Sequence, residues 1–259
     1  MDLGIAGRKA IVCASSRGLG RACAKALAEA GCEVVINGRD RERLAATASE
    51  LRAATGAKIV AVAADVASAD GQQALFAACP EPDILVNNNA GPPFRDFREL
   101  DRQKMLDGVI ANMIVAVELL QKAIDPMIAN KFGRVVNITS GSVKAPIAGL
   151  DLSSGARAGL TAFFAGVARD VAAANVTINF LLPGVFATDR FATYVETTMK
   201  KKGISADDAL AERVAAVPAR RIGDPDEFGA ACAFLCSAQA GYITGQNLLI
   251  DGGAFPGAF

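Results

Sequence analysis

The chain has 259 residues, and its 27 Lys plus Arg balance its 27 Asp plus Glu, so no basic field points to a nucleic-acid partner and no apolar run reaches membrane-spanning length. It contains no histidine, which excludes a histidine-ligated metal and a serine–histidine triad. The six cysteines stand singly in strand or helix patterns, Cys232 and Cys236 sharing a helix face; without zinc or redox spacing they read as buried reduced thiols, and no metal site is expected.

In chain order, Met1 to Lys9 carries both signs of charge, unlike a signal peptide, and a cytoplasmic protein is expected. Ala10 to Ala14 is apolar, Ser15 to Gly20 is a small-residue turn, and Ala22, Ala26, Leu27 and Ala30 keep helical spacing. That succession is strand, tight turn, helix. The turn leaves the first N–H groups of the helix unpaired above the strand, where they and the positive end of the helix dipole suit a pyrophosphate. Gly18 and Gly20 leave room for phosphates and for close helix packing. The spacing is not the usual G-x-G-x-x-G, and a plain strand-to-helix connection is the alternative reading.

Glu33 to Asn37 reads as a second strand and Asp40 to Ala54 as a helix with Leu44, Ala48 and Leu51 on one face. An acidic residue at this strand tip holds a ribose 2′-hydroxyl, whereas arginine accommodates a 2′-phosphate. Here the tip is Asn37-Gly38-Arg39, with Arg17 in the first turn, so two cations could converge on that phosphate; this favours NADP, while Asp40 keeps NAD as the second choice. Lys58 to Ala63 gives a third strand with Asp65 at its end, and Ile84 to Asn87 a fourth, followed by Asn88-Asn89-Ala90-Gly91. Strands alternating with helices imply a parallel sheet with ligands outside the carboxyl ends of the strands. The three consecutive asparagines read as braces for backbone around a cofactor, or as a simple turn.

Pro92 to Arg98 reads as a loop and Asp101 to Asn130 as a long helical segment punctuated by Gly108 and Pro126. Further strands follow at Arg134 to Thr139, at Val176 to Leu182 before Pro183-Gly184, and at Asn247 to Ile250 before Asp251-Gly252-Gly253. Thr188 to Ile222 is the most polar and least periodic part, the pattern of a lid over substrate, and Lys200 to Lys202 read as a solvated face. No repeat or linker divides the chain, so one domain, 1–259, is expected, with 188–222 as the lid.

Together these features resemble the short-chain dehydrogenase/reductase family, particularly its 3-oxoacyl carrier-protein reductase-like branch, across essentially the whole chain. Cys13 to Gly20 is similar to the family's T-G-x-x-x-G-x-G, and Asn88 to Gly91, Pro183-Gly184, and Ile243-Thr244-Gly245-Gln246 through Asp251-Gly252-Gly253 follow in the family's order. The resemblance implies an α/β, Rossmann-type doubly wound parallel sheet of about seven strands with helices on both faces. It also implies NAD(P) binding and a homo-oligomer, usually a tetramer. Cofactor contacts are then expected from Ala14, Ser16, Arg17, Gly18, Leu19 and Gly20 in the first turn, and from Arg39, Asp65 and Val66 at the next two strand ends. Asn88, Ala90 and Gly91 follow the fourth strand, Pro183, Gly184 and Thr188 lie on the nicotinamide side, and Arg157 completes the set. Cys13 and Ala14 replace the family's threonine and first glycine; alanine is tolerable there at negative φ.

The resemblance also assigns catalytic positions. Asn112 matches the family's asparagine and Ser140 its serine. Matching the usual K-A-G-L to Arg157-Ala158-Gly159-Leu160 puts Arg157 at the lysine position and Ser153 where tyrosine is customary, and the interval from Ser140 to Ser153 equals the family's common one. A phenol starts at a pKa of about 10 and a nearby cation can bring it into working range; an aliphatic hydroxyl starts several units higher and reaches less far. Arginine grips ribose hydroxyls but does not shed a proton. Water, Tyr194 or Lys144 are the other candidate donors. Two functions follow: an atypical NADP(H)-dependent oxidoreductase acting on a small carbonyl or alcohol, or a nucleotide-binding sensor or scaffold without turnover. Phe186, just before the lid, and Phe191 within it hint at an apolar substrate.

Overall fold

A computed structural model describes residues 2–258. Its centre is a seven-stranded sheet in the order β3-β2-β1-β4-β5-β6-β7, with every neighbouring pair parallel. The strands are β1 (Lys9–Val12), β2 (Glu33–Gly38), β3 (Ile59–Ala63), β4 (Ile84–Asn87), β5 (Gly133–Ile138), β6 (Val176–Pro183) and β7 (Asn247–Ile250). Because side chains alternate along a strand, each strand feeds two cores. Ala10 and Val12, Val34 and Ile36, and Ile84 and Val86 enter one core with α1 (Gly18–Glu29) and α2 (Arg41–Thr55). Ile11, Val35, Leu85 and Val135 enter the other. That second face is covered by α3 (Ala69–Ala78), α5 (Val115–Ala129) and α6 (Asp151–Val171). The sequence pattern therefore anticipates the sheet, its parallel sense and its helices on both faces.

Chain order reverses between β1 and β4, which are neighbours in the sheet although β2 and β3 intervene in sequence. Such a reversal opens a crevice above the carboxyl ends of the strands. The helical segment expected from Asp101 to Asn130 is in fact α4 (Arg102–Val109), a π-helical turn at Ile110–Ile114, and α5. Thr188 to Ile222, expected to lack periodicity, holds α7 (Asp189–Lys202) and α8 (Ala206–Ala215). Its polar character has a physical cause: α7 buries no residue completely, and Phe191 stacks on Tyr194 while Arg213 lies over the Tyr194 ring. The α9 helix (Pro225–Cys236) packs on α1 and starts in a capping box made by Asp224 and Glu227. All six cysteines are buried and unbridged. Among the described residues no helix is long and apolar enough to cross a membrane.

Candidate active site

The first turn is held from three directions. Ser15 Oγ donates to the Val12 carbonyl and accepts from the Asn37 N–H. The buried Asn37 side chain accepts from the Ala14 N–H at 3.3 Å and donates to the Val62 and Ala64 carbonyls, tying the turn to the end of β3. Asn88 Nδ2 donates to the Ala14 carbonyl at 3.2 Å. Gly20 is required here, because a Cβ would lie 2.5 Å from the Ala14 oxygen and 2.9 Å from Asn88 Nδ2. Ala14 itself sits at φ +45°, not at negative φ. Burial pushes the Cys13 thiol up to about 12, so it stays protonated.

The turn delivers α1 with an open N-terminus. Arg17 precedes it in extended backbone, no side chain caps it, and its first turn holds no acidic residue, so Gly18, Leu19 and Gly20 present their N–H groups to the crevice. Thr188 stands over Gly18, its Cγ2 3.7 Å from where a Cβ would be. The Ser16 carbonyl accepts from Thr47 Oγ1 and anchors the turn to α2.

At the tip of β2 the arginines are arranged differently from the sequence expectation. Arg17 is joined by Arg43, not by Arg39: both guanidiniums meet the Asp189 carboxylate, at 3.0 and 3.3 Å. Arg39 is exposed and approaches Asp65 at 4.0 Å. Asp40 is the N-cap of α2, its side chain accepting from the Arg43 N–H. Beside Asp65, whose side chain accepts from the Ala67 N–H, Val66 is buried in the second core.

Asparagines span the middle of the sheet. Asn87 Nδ2 donates to Asn137 Oδ1, Asn137 to the Asn179 carbonyl, and Asn179 to the Ile243 carbonyl. Asn89 donates to the Ala111 carbonyl and accepts from the Ala90 N–H. The three consecutive asparagines thus reach three different segments, Asn87 the Asn137 side chain, Asn88 the Ala14 carbonyl and Asn89 the Ala111 carbonyl. Asn112 lies in the π turn, with Nδ2 bonded to the Gly108 carbonyl and a buried Oδ1 that has no partner. It shares with Asn87, Asn137 and Arg157 a small pocket of about 20 Å³, room for one water.

On α6, Ser153 and Arg157 are both buried, one turn apart, with Arg157 Nε donating to Ser153 Oγ at 3.3 Å and Nη1 to the Ile138 carbonyl at 2.7 Å. Ser140, two residues beyond Ile138, starts a 3₁₀ turn by accepting from the Ser142 N–H. Burial, and then the neighbouring Arg190, push the Arg157 guanidinium down to about 10, still charged at neutral pH. A Cβ on Gly91 would be 3.1 Å from Arg190 Nη1 and 3.6 Å from Arg157 Nη2. Pro183 ends β6, and Gly184 packs on Asp251 while donating to the Ile250 carbonyl. Lys144 lies over the Phe255 ring, and Tyr194 is part of the α7–α8 contact. Sequence reading missed Asn37, Arg43, Asp189 and Arg190; only the tip position of Asn37 could have signalled its role.

A parallel sheet with its reversal at β1 and β4, an uncapped helix N-terminus at that crevice and polar groups converging from β4, β5 and α6 define a dinucleotide-binding α/β protein. Residues 13–254 match the family described as enoyl-(acyl carrier protein) reductase. The chain is 31% identical over 252 residues to the NADPH-dependent reductase BacG of Bacillus subtilis (strain 168), covering 95% of this chain and 97% of that one. It is 32% identical over 253 residues to the acetoacetyl-CoA reductase of Allochromatium vinosum, covering 96% and 98%. Among solved structures it is similar to L-sorbose reductase from Gluconobacter frateurii complexed with NADPH and L-sorbose, with a TM-score of 0.94 at 27% identity over 99% of this chain and 100% of that one. YwfH, an NADPH-dependent reductase involved in bacilysin biosynthesis, gives a TM-score of 0.91 at 30% identity over 97% and 100%. The chain belongs to the short-chain dehydrogenase/reductase family of oxidoreductases.

Proposed function

We propose that this protein is an NADP(H)-dependent oxidoreductase interconverting a small carbonyl compound and its alcohol, with Ser153 and Arg157 in place of the family's tyrosine and lysine. The observation that carries this reading is the buried, charged Arg157 bonded to Ser153 Oγ and to the Ile138 carbonyl at the carboxyl end of β5. NADP(H) is the cofactor of similar reductases, and the chain supports it with Arg17, Arg39 and Arg43 around the β2 tip while Asp40 caps α2. The amides of Gly18, Leu19 and Gly20 would hold the diphosphate, and Asn88, Ala90, Gly91, Pro183, Gly184 and Thr188 would line the nicotinamide half.

When bound, NADPH supplies the hydride. Ser140 binds the carbonyl oxygen, Asn112 Oδ1 holds a water, and Arg157 holds ribose hydroxyls. Because Ser153 Oγ accepts from Arg157, its own O–H is free to donate; Ser153 or the water completes proton transfer. Residues 1–259 work as one domain in the cytoplasm, 188–222 acts as the lid, and the protein is a homo-oligomer, tetramer or dimer.

The test is a fluorescence titration with NADPH followed by a panel of carbonyl compounds. Saturable binding with NADPH oxidation is expected; binding without oxidation on any carbonyl would leave a sensor or scaffold. If Ser153 is a weak acid, Ser153→Tyr with Arg157→Lys raises reductase activity on generic carbonyls by about tenfold or more, NADPH binding being the check that the crevice is intact. Unchanged or lower activity would mean a different proton route.

A further inference from the structure

Two cations gather beside Gly91: Arg190 Nη1 and Arg157 Nη2 lie 3.1 and 3.6 Å from the point its Cβ would occupy. Arg157 is buried, and among the described residues neither it nor Arg190 has a carboxylate within ion-pair distance. Arg157 uses Nε and Nη1 on Ser153 and Ile138, while its Nη2 makes no hydrogen bond and, like Arg190 Nη1, lies beside Gly91. A buried charge is normally paired, and like charges are brought together where an anionic ligand satisfies both. We propose that Arg157 and Arg190 form a carboxylate clamp, so that the substrate is an oxo acid, or the matching hydroxy acid, and not a neutral ketone. This rests on the oxidoreductase reading of the same crevice.

The diphosphate of the cofactor is a weaker candidate for the anion. Its place is the open N-terminus of α1, where Gly20 and Asn88 touch and Thr188 stands over Gly18. Gly91 lies three residues beyond Asn88, up to about 10 Å of chain, and the lid meets it through a different residue, Arg190. The free Nη2 carries two N–H donors, enough to serve a ribose hydroxyl and a carboxylate together. In the reductive direction the carbonyl carbon gains a C–H bond from the hydride of NADPH, which becomes NADP⁺. The carbonyl π pair moves to oxygen, which takes a proton from Ser153 or water, and the carboxylate is unchanged.

Calorimetric titration of the intact protein with 2-oxobutyrate and acetoacetate, each beside its methyl ester, decides the matter in both the cofactor-free and the NADP⁺-saturated state. The acids bind about tenfold or more tighter than the esters, and Arg190→Gln, a change at an exposed lid position, removes most of that preference while moving the dissociation constant of NADPH by less than about twofold. Equal binding of acids and esters in both states overturns the clamp. An unchanged preference in the variant, or a loss that falls on NADPH instead, overturns it too. Failure of NADPH to bind defeats the oxidoreductase reading separately, because the acid-against-ester comparison still reads out without cofactor.

Discussion

Ala14 occupies the left-handed region, φ +45°, in the turn that follows β1. Its Cβ crowds the following carbonyl there, at a steric cost of about 1–2 kcal/mol that glycine avoids, offset in part by glycine's greater unfolded-state entropy. The conformation persists because Asn37 and Asn88 grip the Ala14 N–H and carbonyl from opposite sides. Ala14→Gly is therefore expected to stabilise the protein by up to about 1 kcal/mol, seen as a higher urea midpoint at unchanged slope; a lower midpoint would mean that the methyl group contributes packing. Arg39 raises a second question at this scale. It is exposed and 4.0 Å from Asp65, loosely enough held to turn toward a 2′-phosphate. Arg39→Ala should weaken NADPH binding by about tenfold and NADH binding much less; equal loss for both removes the assignment. The Ser153–Arg157 pair could be placed from sequence because Arg157 to Leu160 resembles the family's K-A-G-L and the family's spacing counts back four residues to Ser153. The Arg17–Asp189 contact could not, because only the closed fold brings together residues 172 positions apart.

The strands were legible because burial on both faces demands apolar runs, and the turns after them because special backbone demands small residues. The segment around Asn112 was not. Val109 to Val117 is apolar and continuous enough to pass for one α-helix, and nothing in residue type marks the π turn at Ile110–Ile114. That turn directs Asn112 to the buried side, with Nδ2 on Gly108, and leaves Oδ1 free toward the pocket with Arg157. The α7–α8 segment was obscured for the opposite reason. Since α7 and α8 pack chiefly on each other, with Lys202 also pairing with Glu212, neither needs the wide apolar stripe that reveals a core helix. Their boundaries were nonetheless written in the chain: Gly203 ends α7 at φ +67°, and Ser205 caps α8 by accepting from the Asp208 N–H. The two elements hardest to read carry Asn112 and Arg190, which reach the crevice from opposite sides of the chain's order.

Beyond the two cores, two of the sets of exposed apolar side chains lie on regular elements near the ends of the sheet's covering helices and on its edge. Met105, Leu106, Ile110 and Ile114 are each 38–48% exposed along α4, the π turn and its end, with Phe163 at 49% on α6. Elsewhere Leu248 at 39% lies on β7, an edge strand. Exposed apolar patches of this kind mark association surfaces, and an unpaired strand edge is itself a surface to be covered. A tetramer, the assembly that the family resemblance implies, would need two such patches, each closed on itself by a two-fold axis; one patch alone would stop at a dimer. Light scattering on the purified protein should therefore give a tetramer. Ile110→Glu with Phe163→Glu should reduce it to a dimer, and Leu248→Lys should do so through the other surface. Gly184 packs on Asp251 at the end of β7, so loosening the second surface also lowers NADPH affinity, whereas loosening the first leaves it closer to wild type. A wild-type protein that stays monomeric at every concentration defeats this arrangement, and a dimer unaffected by Leu248→Lys restricts it to the helical face.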